Sequence, residues 1–263
     1  MMFSIQKKIY KFVVVFVLFL AESVSSSLSG VLIVVGPPGS GKGHLASFFV
    51  CNYQCGHISA GDLLREEVNK KTSIGIAIED IITQGKPVAN EVMHTLLQAK
   101  VIEQKERHGL FIIDGFGGQS NEDAPFLQNL LEREGLSNRT IAVFLESADE
   151  ECQRRMEGRL ICNTCARIYN TNTFPSEKEG FCDVCNERLI QRPQDTRETI
   201  QGRIVRYKTI MESNYSQFSR IFPYVRFDVD QGECIDFYRK LATAIQHLPE
   251  PTDPDFIKSP GEE

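Results

Sequence analysis

The sequence predicts an α/β protein with a parallel sheet of about five strands, flanked by helices and carrying a small inserted subdomain. Short runs of β-branched and other apolar residues alternate along the chain with longer stretches of helical periodicity. The runs are apolar at successive positions, which is typical of strands that are covered on both faces. One cysteine-rich stretch has neither pattern and is therefore interpreted as an insertion.

The predicted elements follow one another in the order that a parallel sheet needs, because each strand returns through a helix. The strands are expected at residues 31–35, 56–59, 110–113, 141–145 and 225–229. The longest helices are expected at residues 62–71, 90–107 and 195–211.

The two ends of the chain differ from its middle. Residues 12–21 are apolar throughout, and they follow a lysine-containing start and precede a Ser-rich stretch. This order is that of a signal peptide, and about ten apolar residues are too few for a membrane span, which needs about 20. Residues 1–29 are therefore predicted to be a cleaved leader or a membrane-anchoring segment, with a mis-assigned start codon as the alternative. Residues 249–263, rich in proline and acidic residues, are predicted to be a disordered tail.

The charge balance argues against a nucleic-acid partner. The chain has 29 basic and 35 acidic residues and a formal net charge of −6, so it has no general attraction to polyanions. A small phosphorylated ligand, held by local clusters of arginine and lysine, fits this composition better.

Residues 36–42 form a glycine-rich loop with the spacing of a phosphate-binding P-loop. The segment reads Gly-Pro-Pro-Gly-Ser-Gly-Lys, follows the first strand and opens a helix, which indicates a fold of the P-loop NTPase type. Its glycines allow backbone N–H groups to point at a phosphate, and the helix N-terminus adds its dipole. Lys42 can reach the outer phosphates, whereas the alternative is merely a tight turn. Gly43 and His44 follow where a Ser or Thr is usual directly after the lysine.

Four cysteines in the insertion have the spacing of a structural zinc site. Two C-x₂-C pairs are separated by sixteen residues, within the range typical of Cys₄ zinc sites. Four thiolates leave no open coordination position, so the metal is expected to be structural and to supply folding energy to a loop-rich segment. Redox-active pairs or disulfides are the alternative. The predicted ligands are Cys162, Cys165, Cys182 and Cys185.

Together these motifs resemble those of the adenylate kinases, the nucleoside monophosphate kinase family, in its zinc-lid form. Between residues 30 and 248 the family order is kept: the P-loop, Ser-Ala-Gly-Asp-Leu-Leu-Arg at 59–65, Gly-Lys-Pro-Val at 85–88, Asp-Gly-Phe at 114–116, and the Cys₄ lid. The resemblance implies core segments at 30–58, 87–159 and 193–248, a monophosphate-binding subdomain at 59–86 and a zinc-binding lid at 160–192.

The same resemblance implies which residues bind the two nucleotides. The catalytic set would be Lys42, Asp114, Arg155, Arg192 and Arg203, with Asp114 holding magnesium through water. The ATP-binding set would be Gly36, Gly39, Ser40, Gly41, Lys42, Gly43, His44, Arg155, Arg159 and Gln231. The monophosphate-binding set would be Ala60, Arg65, Lys86, Val88, Gly115, Glu122, Arg192 and Arg203.

Apart from the resemblance, the chemistry of phosphoryl transfer itself requires such residues, because it depends on the positioning of the substrates and on cations around the equatorial oxygens of the transferred group. Arginine suits this task through its bidentate fork and permanent charge. Arg155 and Arg159 stand at i and i+4, on one helical face if the helix persists that far. Each arginine taken singly could instead be a solvated surface charge. Asp114 ends a predicted strand, where α/β proteins place ligand groups, and its alternative role is a helix N-cap.

Several residues on the acceptor side depart from the family pattern. The family follows Asp-Gly-Phe with Pro-Arg, where this chain has Gly117-Gly118, and the missing arginine normally binds the monophosphate. A charged hydrogen bond contributes roughly 1.5 to 3 kcal/mol, so binding or transition-state stabilisation should weaken about ten- to a hundredfold or more. Ala60 replaces a threonine, as in UMP/CMP kinases. Glu122 stands where the family has a base-reading amide, and a carboxylate that only accepts hydrogen bonds could suit an exocyclic amino group.

The favoured hypothesis is a monomeric enzyme that transfers the γ-phosphoryl group of ATP reversibly to AMP, or to a related monophosphate, with Mg²⁺ and a structural Zn²⁺. The alternatives are a kinase preferring CMP or UMP, a catalytically impaired ATP-binding pseudoenzyme, and a zinc-knuckle protein acting on nucleic acid, which the acidic balance disfavours. The compartment stays open, because the leader suggests export or targeting to an organelle or membrane, whereas the family is expected in the cytoplasm.

Overall fold

The structure is a computed structural model that describes residues 28–117, 120–165, 167–248 and 255–261. Its strands are β1 (Gly30–Val35), β2 (Gly56–Ser59), β3 (Leu110–Asp114), β4 (Thr140–Glu146), β5 (Arg159–Cys162), β6 (Ile168–Asn170), β7 (Leu189–Ile190) and β8 (Tyr224–Asp228). Its helices are α1 (Lys42–Tyr53), α2 (Ala60–Asn69), α3 (Ser73–Thr83), α4 (Asn90–Arg107), α5 (Asp123–Arg133), α6 (Asp149–Glu157), α7 (Arg197–Ile221) and α8 (Cys234–Gln246). A 3₁₀ turn spans Ser137–Arg139.

Five of these strands form one parallel sheet in the order β2-β3-β1-β4-β8, with helices on both faces. The predicted α/β class and the five predicted strands are confirmed. Val34 of β1 pairs with Asp114 of β3, so these strands end at the same edge of the sheet. That register sets Asp114 beside the loop that follows β1.

The buried residues of β1 alternate between two apolar cores. Val31, Ile33 and Val35 join the core on the face of α2, α4, α5 and α7. Leu32 and Val34 join the core under α1 and α8. Every residue of β1 is buried for this reason, and the strand reads as a continuous apolar run.

The ends of two helices differ from the sequence prediction. α2 begins at Ala60, two residues earlier than expected, because the hydroxyl of Ser59 accepts from the backbone N–H of Asp62 at 3.3 Å. α7 begins at Arg197 after the N-cap Thr196 and continues to Ile221, ten residues beyond the expected end. α4 has the predicted bounds.

The insertion contains a small sheet of its own. β5 pairs antiparallel with both β6 and β7, giving the order β6-β5-β7. Its interior is formed by the side chains of Tyr169 and Leu189 together with Cys162 and Cys182. This apolar content is small.

Part of the C-terminal segment is ordered, although the sequence predicted a disordered tail there. Residues 255–261 of the predicted disordered tail are packed on the core: Ile257 is buried, and Lys258 exchanges two backbone hydrogen bonds with Tyr224 of the edge strand β8, at 2.9 and 2.8 Å. Burial of the Ile257 side chain supplies the stabilisation that the composition did not suggest. Most of the predicted leader, residues 1–27, lies outside the described residues, as does Gly118. Within the described part of the chain, no helix is long and apolar enough to span a membrane.

Candidate active site

The loop from Gly36 to Gly41 joins β1 to α1 at the carboxyl edge of the sheet. Gly39 and Gly41 have φ angles of 91° and 87°, a left-handed conformation that glycine adopts without steric cost. A Cβ at position 39 would lie 2.4 Å from the carbonyl oxygen of Cys152, so the loop also packs tightly on α6. Within the described residues, no side chain caps the N–H groups that begin α1. The N–H of His44 donates to the carbonyl oxygen of Gly41 at 2.9 Å, whereas those of Lys42 and Gly43 at the start of the helix remain available to an anion.

Lys42 and Ser40 both face the inside of this loop. The Nζ of Lys42 donates to the carbonyl oxygens of Gly36 and Pro37, at 2.9 and 2.8 Å. Burial lowers the pKa of Lys42, against the opposing effect of the Asp114 carboxylate nearby. The Ser40 side chain is fully buried, and its hydroxyl has no hydrogen-bond partner among the described residues. A buried unpaired hydroxyl is unfavourable, so a phosphate oxygen in the loop would satisfy it.

Asp114 lies beside this loop, at the end of β3. Its side chain is 10% exposed, and one carboxylate oxygen is 3.4 Å from the Nε2 of His57. The next helix after Asp114 begins only at Asp123, so the N-cap alternative for Asp114 is wrong. A largely buried carboxylate next to a phosphate loop is the kind of group that holds Mg²⁺ through its water shell.

Arginines from both ends of the lid converge on one buried carboxylate, that of Asp195. Arg159 donates to it twice, from Nε at 2.8 Å and from Nη2 at 2.6 Å, and the Nη1 of Arg203 is 3.8 Å away. Burial and the neighbouring guanidinium groups lower the pKa of both Arg192 and Arg203 to about 10. The Nε of Arg192 is buried without a hydrogen-bond partner in the described part of the chain. One carboxylate does not balance three cations, so this cluster would favour a polyphosphate.

Arg155 lies apart from this cluster. α6 ends at Glu157 and Arg159 already belongs to β5, so the helix does not persist far enough for Arg155 and Arg159 to share one helical face. Arg155 instead donates to Asp230 at 2.6 Å and to the hydroxyl of Ser147 at 3.2 Å. These contacts direct it toward the loop between β8 and α8, where Gln231 is exposed.

A cleft of about 180 Å³ connects the phosphate loop with α2 and α3. Arg65 lies on its wall and donates through Nε to Asp62 at 3.2 Å. Arg206 of α7 donates to the carbonyl oxygen of Gly85 at 2.9 Å and so ties the α3 end of the cleft to the core. The predicted site residues that line this cleft are Gly36, Lys42, Arg65, Lys86, Val88, Gly115 and Arg203.

A second, smaller cleft continues from this one. It is lined by Ala60, Leu64, Val88, Asn90, Met93, Gly115, Phe116 and Asp123. Glu122 does not line it directly, but its carboxylate accepts from the Nδ2 of Asn90 at 2.7 Å. The predicted monophosphate-binding residues Ala60, Val88 and Gly115 therefore come together here, with Glu122 linked to them through Asn90.

Gly117 stands where the family pattern described above has the proline of Pro-Arg, and its backbone conformation differs from that of a proline. Its φ angle is 92°, and a Cβ there would lie 2.7 Å from the ring of Phe218. Proline, with φ fixed near −65° in general, cannot take this conformation. The backbone after Phe116 therefore follows a path that only glycine permits.

His44 is packed between the core and the lid. Its Nδ1 lies 3.2 Å from the hydroxyl of Tyr238 in α8, and its ring centroid is 6.5 Å from that of Phe174 in the lid. Gly43 is also close to the lid, since a Cβ there would lie 3.3 Å from the side chain of Ile168. Burial lowers the pKa of His44. The imidazole, whose charged form burial disfavours, therefore occupies a packed position at the start of α1.

The four lid cysteines form a tight cluster. The sulfur atoms of Cys162, Cys165, Cys182 and Cys185 lie within 4.8 Å of one another. A tetrahedral zinc with Zn–S bonds of about 2.3 Å separates its sulfur ligands by about 3.8 Å, and the Sγ atoms of Cys165 and Cys182 are 3.6 Å apart. The Tyr169 hydroxyl lies 3.4 Å from the Sγ of Cys182. The cluster is compatible with a tetrahedral zinc ion.

The sequence of this chain matches an established family. The adenylate kinase family model matches residues 34–220, which is more than half of the chain. The chain belongs to the adenylate kinase family. It is therefore a phosphotransferase of the nucleoside monophosphate kinase class.

Individual adenylate kinases match over most of their length. That of Pyrococcus abyssi is 32% identical over 217 residues, covering 82% of this chain and 96% of the relative. That of Fervidobacterium nodosum is 36% identical over 172 residues, covering 65% and 78%. That of Streptomyces avermitilis is 36% identical over 183 residues, covering 69% and 81%.

Three carboxylate or amide groups of the site were not predicted from the sequence. Asp195 organises the arginines, Asp230 holds Arg155, and Asn90 holds Glu122. The sequence carries a weak signal for two of them, since Asp195 follows Arg192 by three positions and Asp230 directly precedes Gln231. Asn90 has a comparable weak signal, since it follows Val88 by two positions.

Proposed function

We propose that this adenylate kinase family member transfers the γ-phosphoryl group of ATP reversibly to AMP or to a related nucleoside monophosphate. One observation carries the proposal: a single cleft is lined by the phosphate loop at one end and by Arg65, Lys86 and Val88 at the other, with Arg203 between them. Two phosphorylated ligands bound at its ends would place their phosphates next to Arg203. We propose that the enzyme acts as a monomer, because the described residues of one chain line the whole cleft.

The donor triphosphate would bind in the loop from Gly36 to Gly41. Lys42 would release the loop carbonyls that it now contacts and turn toward the β and γ phosphates, while Ser40 and the N–H groups of α1 would donate to the phosphate oxygens. Arg155, with Gln231 close by, would border the base of the donor nucleotide.

The transferring phosphoryl group would lie among Arg159, Arg192 and Arg203. Phosphoryl transfer spreads negative charge over the equatorial oxygens, and the arginines need no reorganisation if Asp195 already orients them. Mg²⁺ held through water by Asp114 would neutralise part of the charge of the phosphates and orient them. Arg65 would bind the acceptor phosphate.

The lid would close over the phosphates and exclude water, because water would otherwise hydrolyse ATP. Ile168 and Phe174 already approach Gly43 and His44 at the start of α1. A zinc ion bound by the four cysteines would keep the lid folded as it moves.

A coupled assay of the full chain with ATP, Mg²⁺ and each nucleoside monophosphate tests the proposal. Turnover that falls at least about a hundredfold in Lys42→Met supports it, because the P-loop lysine contacts the transferring phosphates. Lys100→Met, which removes a surface partner of Glu103, is the matched control and should change turnover less than about twofold. Turnover that is equal in both variants would contradict the proposal.

A catalytically impaired ATP-binding protein is the second candidate. The loop after Phe116 favours it, because Gly117 takes a conformation closed to proline and the family arginine is absent at position 118. A wild type that binds ATP without turnover, and gains turnover in Gly118→Arg, would establish this candidate. Wild-type turnover that Gly118→Arg changes only a few-fold would exclude it.

A further inference from the structure

Asn90, Ser120 and Glu122 form a connected polar group, and Asn90 is the member of this group that lines the smaller cleft. The Nδ2 of Asn90 lies 2.7 Å from the Oε2 of Glu122 and 2.9 Å from the Oγ of Ser120. The backbone N–H of Glu122 also donates to the Oγ of Ser120, at 3.1 Å. We name these three residues the rim group.

The contacts determine the orientation of the Asn90 amide. A carboxylate only accepts hydrogen bonds, so the NH₂ of Asn90, and not its oxygen, must face Glu122. The amide oxygen is then left for a ligand to donate to, and the second oxygen of Glu122 is likewise an acceptor. The carboxylate of Asp123, which lines the cleft, accepts from the backbone N–H of Ser120 at 3.2 Å. This side of the cleft is therefore rich in acceptors.

Ser120 is the donor of the rim group. In its contacts with Asn90 and with the Glu122 backbone, its hydroxyl oxygen accepts. A hydroxyl has one hydrogen to donate as well, and neither of these two contacts uses it. The rim group thus offers adjacent acceptors from Asn90 and Glu122 with one hydroxyl donor beside them.

The four common bases differ in what they present on the Watson–Crick edge. Adenine and cytosine each present an amino donor next to a ring-nitrogen acceptor. Uracil presents one N–H donor between two carbonyl acceptors. Guanine presents two neighbouring donors, N1–H and the N2 amino group, beside the O6 acceptor. Of these edges, only that of guanine pairs with two adjacent acceptors and one donor.

We propose that the acceptor pocket of this kinase is specific for guanine, so that GMP is its monophosphate substrate. Glu122 and the Asn90 amide oxygen accept from N1–H and the N2 amino group, and the Ser120 hydroxyl donates to O6. The inference rests on the proposed function, because the cleft is read as the monophosphate site of a kinase. By the resemblance to the family, Glu122 stands where an amide could pair with adenine through both a donor and an acceptor, and this difference agrees with the inference.

The test uses the full chain, loaded with zinc, and two measurements on each preparation. Turnover is assayed with ATP, Mg²⁺ and each of AMP, CMP, UMP and GMP. Binding of the same monophosphates is measured by calorimetry in the presence of a non-hydrolysable ATP analogue. The variants are Glu122→Gln and, as a matched control, Glu91→Gln, which removes an exposed carboxylate that lines neither cleft.

We expect the kcat/KM for GMP to be at least tenfold higher than the kcat/KM for AMP. Glu122→Gln should lower the GMP to AMP ratio by about ten- to a hundredfold, because a polar site strongly rejects a base that leaves its groups unpaired. Glu91→Gln should leave the ratio unchanged. Since Glu122 is exposed and makes no side-chain cap to α5, its replacement should not alter unfolding.

The two measurements separate failure of this inference from failure of the proposed function. Turnover with AMP, CMP or UMP in preference to GMP would overturn the guanine inference and leave the kinase in place. Absence of all turnover would refute the kinase, and in that case GMP binding at least tenfold tighter than AMP binding, lost in Glu122→Gln, would still support the guanine pocket. Equal binding of all four monophosphates, or binding of none, would overturn it.

Discussion

Asp195 holds Arg159 by both carboxylate oxygens, with Nε 2.8 Å from Oδ2 and Nη2 2.6 Å from Oδ1. Arg159 begins β5, and Asp195 lies just before α7, so this ion pair joins the two ends of the lid at its base. The Asp195 side chain is completely buried. The same contact therefore orients a cation of the proposed transfer site and fixes the point from which the lid extends.

Replacing Asp195 by Asn should lower both stability and turnover. Removing one partner of a buried ion pair leaves the other charge uncompensated and typically costs about 3 to 5 kcal/mol. We expect a loss of about 3 kcal/mol in the free energy of unfolding, measured by urea denaturation. A kcat reduction of about ten- to a hundredfold should accompany it, because Arg159 and Arg203 lose their common partner.

Asp149→Asn is the control for that prediction. Asp149 pairs with Lys208 at the surface, and exposed pairs contribute about 1 kcal/mol or less. If Asp195→Asn had no larger effect than Asp149→Asn on unfolding and on kcat, the organising role of Asp195 would be refuted.

Cys182→Ser should abolish stoichiometric zinc binding and loosen the lid. The lid buries little apolar surface, so the metal would supply much of its folding energy. Metal analysis, limited proteolysis within residues 160–192 and the KM for ATP measure this effect, and we expect faster cleavage and a higher KM. Cys51→Ser, at an exposed position of α1, should change none of the three. Equal metal content in the two variants would refute the Cys₄ site.

Asp230 should make an acid-sensitive contribution to stability. Although its partial burial acts in the opposite direction, the Ala148 N–H, the Ser147 hydroxyl and Arg155 hold the pKa of Asp230 below its ordinary value. A carboxylate whose pKa is lower in the folded state stabilises the fold above the unfolded-state pKa of about 3.8. This contribution is lost as the pH falls through the folded-state pKa.

The corresponding measurement compares wild type with Asp230→Asn by chemical denaturation between pH 7 and pH 3. The wild type should be the more stable protein at neutral pH, and the difference should shrink below about pH 4. A difference that grew on acidification would contradict the assigned direction. At neutral pH the variant should also have a higher KM for ATP, because Arg155 loses the carboxylate that directs it toward the donor site.

Ile257→Ala should destabilise the core even though it lies near the end of the chain. Ile257 is buried, and Phe256 beside it packs on Phe237, which in turn stacks on Phe227 at 4.0 Å between ring centroids. Truncating a buried isoleucine typically costs about 2 to 5 kcal/mol, and we expect a loss of about 2 kcal/mol in thermal or chemical unfolding.

Lys258→Ala serves as the control for this position, because Lys258 is exposed and contacts β8 through its backbone. It should change stability by less than about 0.5 kcal/mol. Equal stability of the Ile257 variant and the wild type would show that the packing of residues 255–261 contributes nothing to the fold.

The elements predicted well are those specified by local patterns. The central strands β1, β3 and β4 are buried almost throughout, so each is visible as an apolar run in the sequence, whereas the edge strands β2 and β8 are only partly buried. Helix starts were predicted less well, because they are set by the capping residues Ser59 and Thr196 and not by the apolar period: the cap Ser59 lies before the predicted stretch 62–71, and the cap Thr196 lies within the predicted stretch 195–211. The packing of Ile257 was missed for another reason: proline and acidic residues dominate its neighbourhood, while Tyr224, the backbone partner of the adjacent Lys258, lies more than thirty residues earlier.

By itself, the sequence determined the phosphate loop, the Cys₄ cluster and the parallel α/β architecture, because each depends on residues that are close together in the chain or on a regular period. Only the tertiary structure decided which groups meet across the site: Asp195 with Arg159, Asp230 with Arg155, and Asn90 with Glu122. These partners come from separate elements of the chain, and they meet only when the sheet, its helices and the lid have packed together. The orientation and burial of these side chains set the charge and the hydrogen-bonding pattern of the site. Both result from that packing, and no local motif in the sequence specifies them.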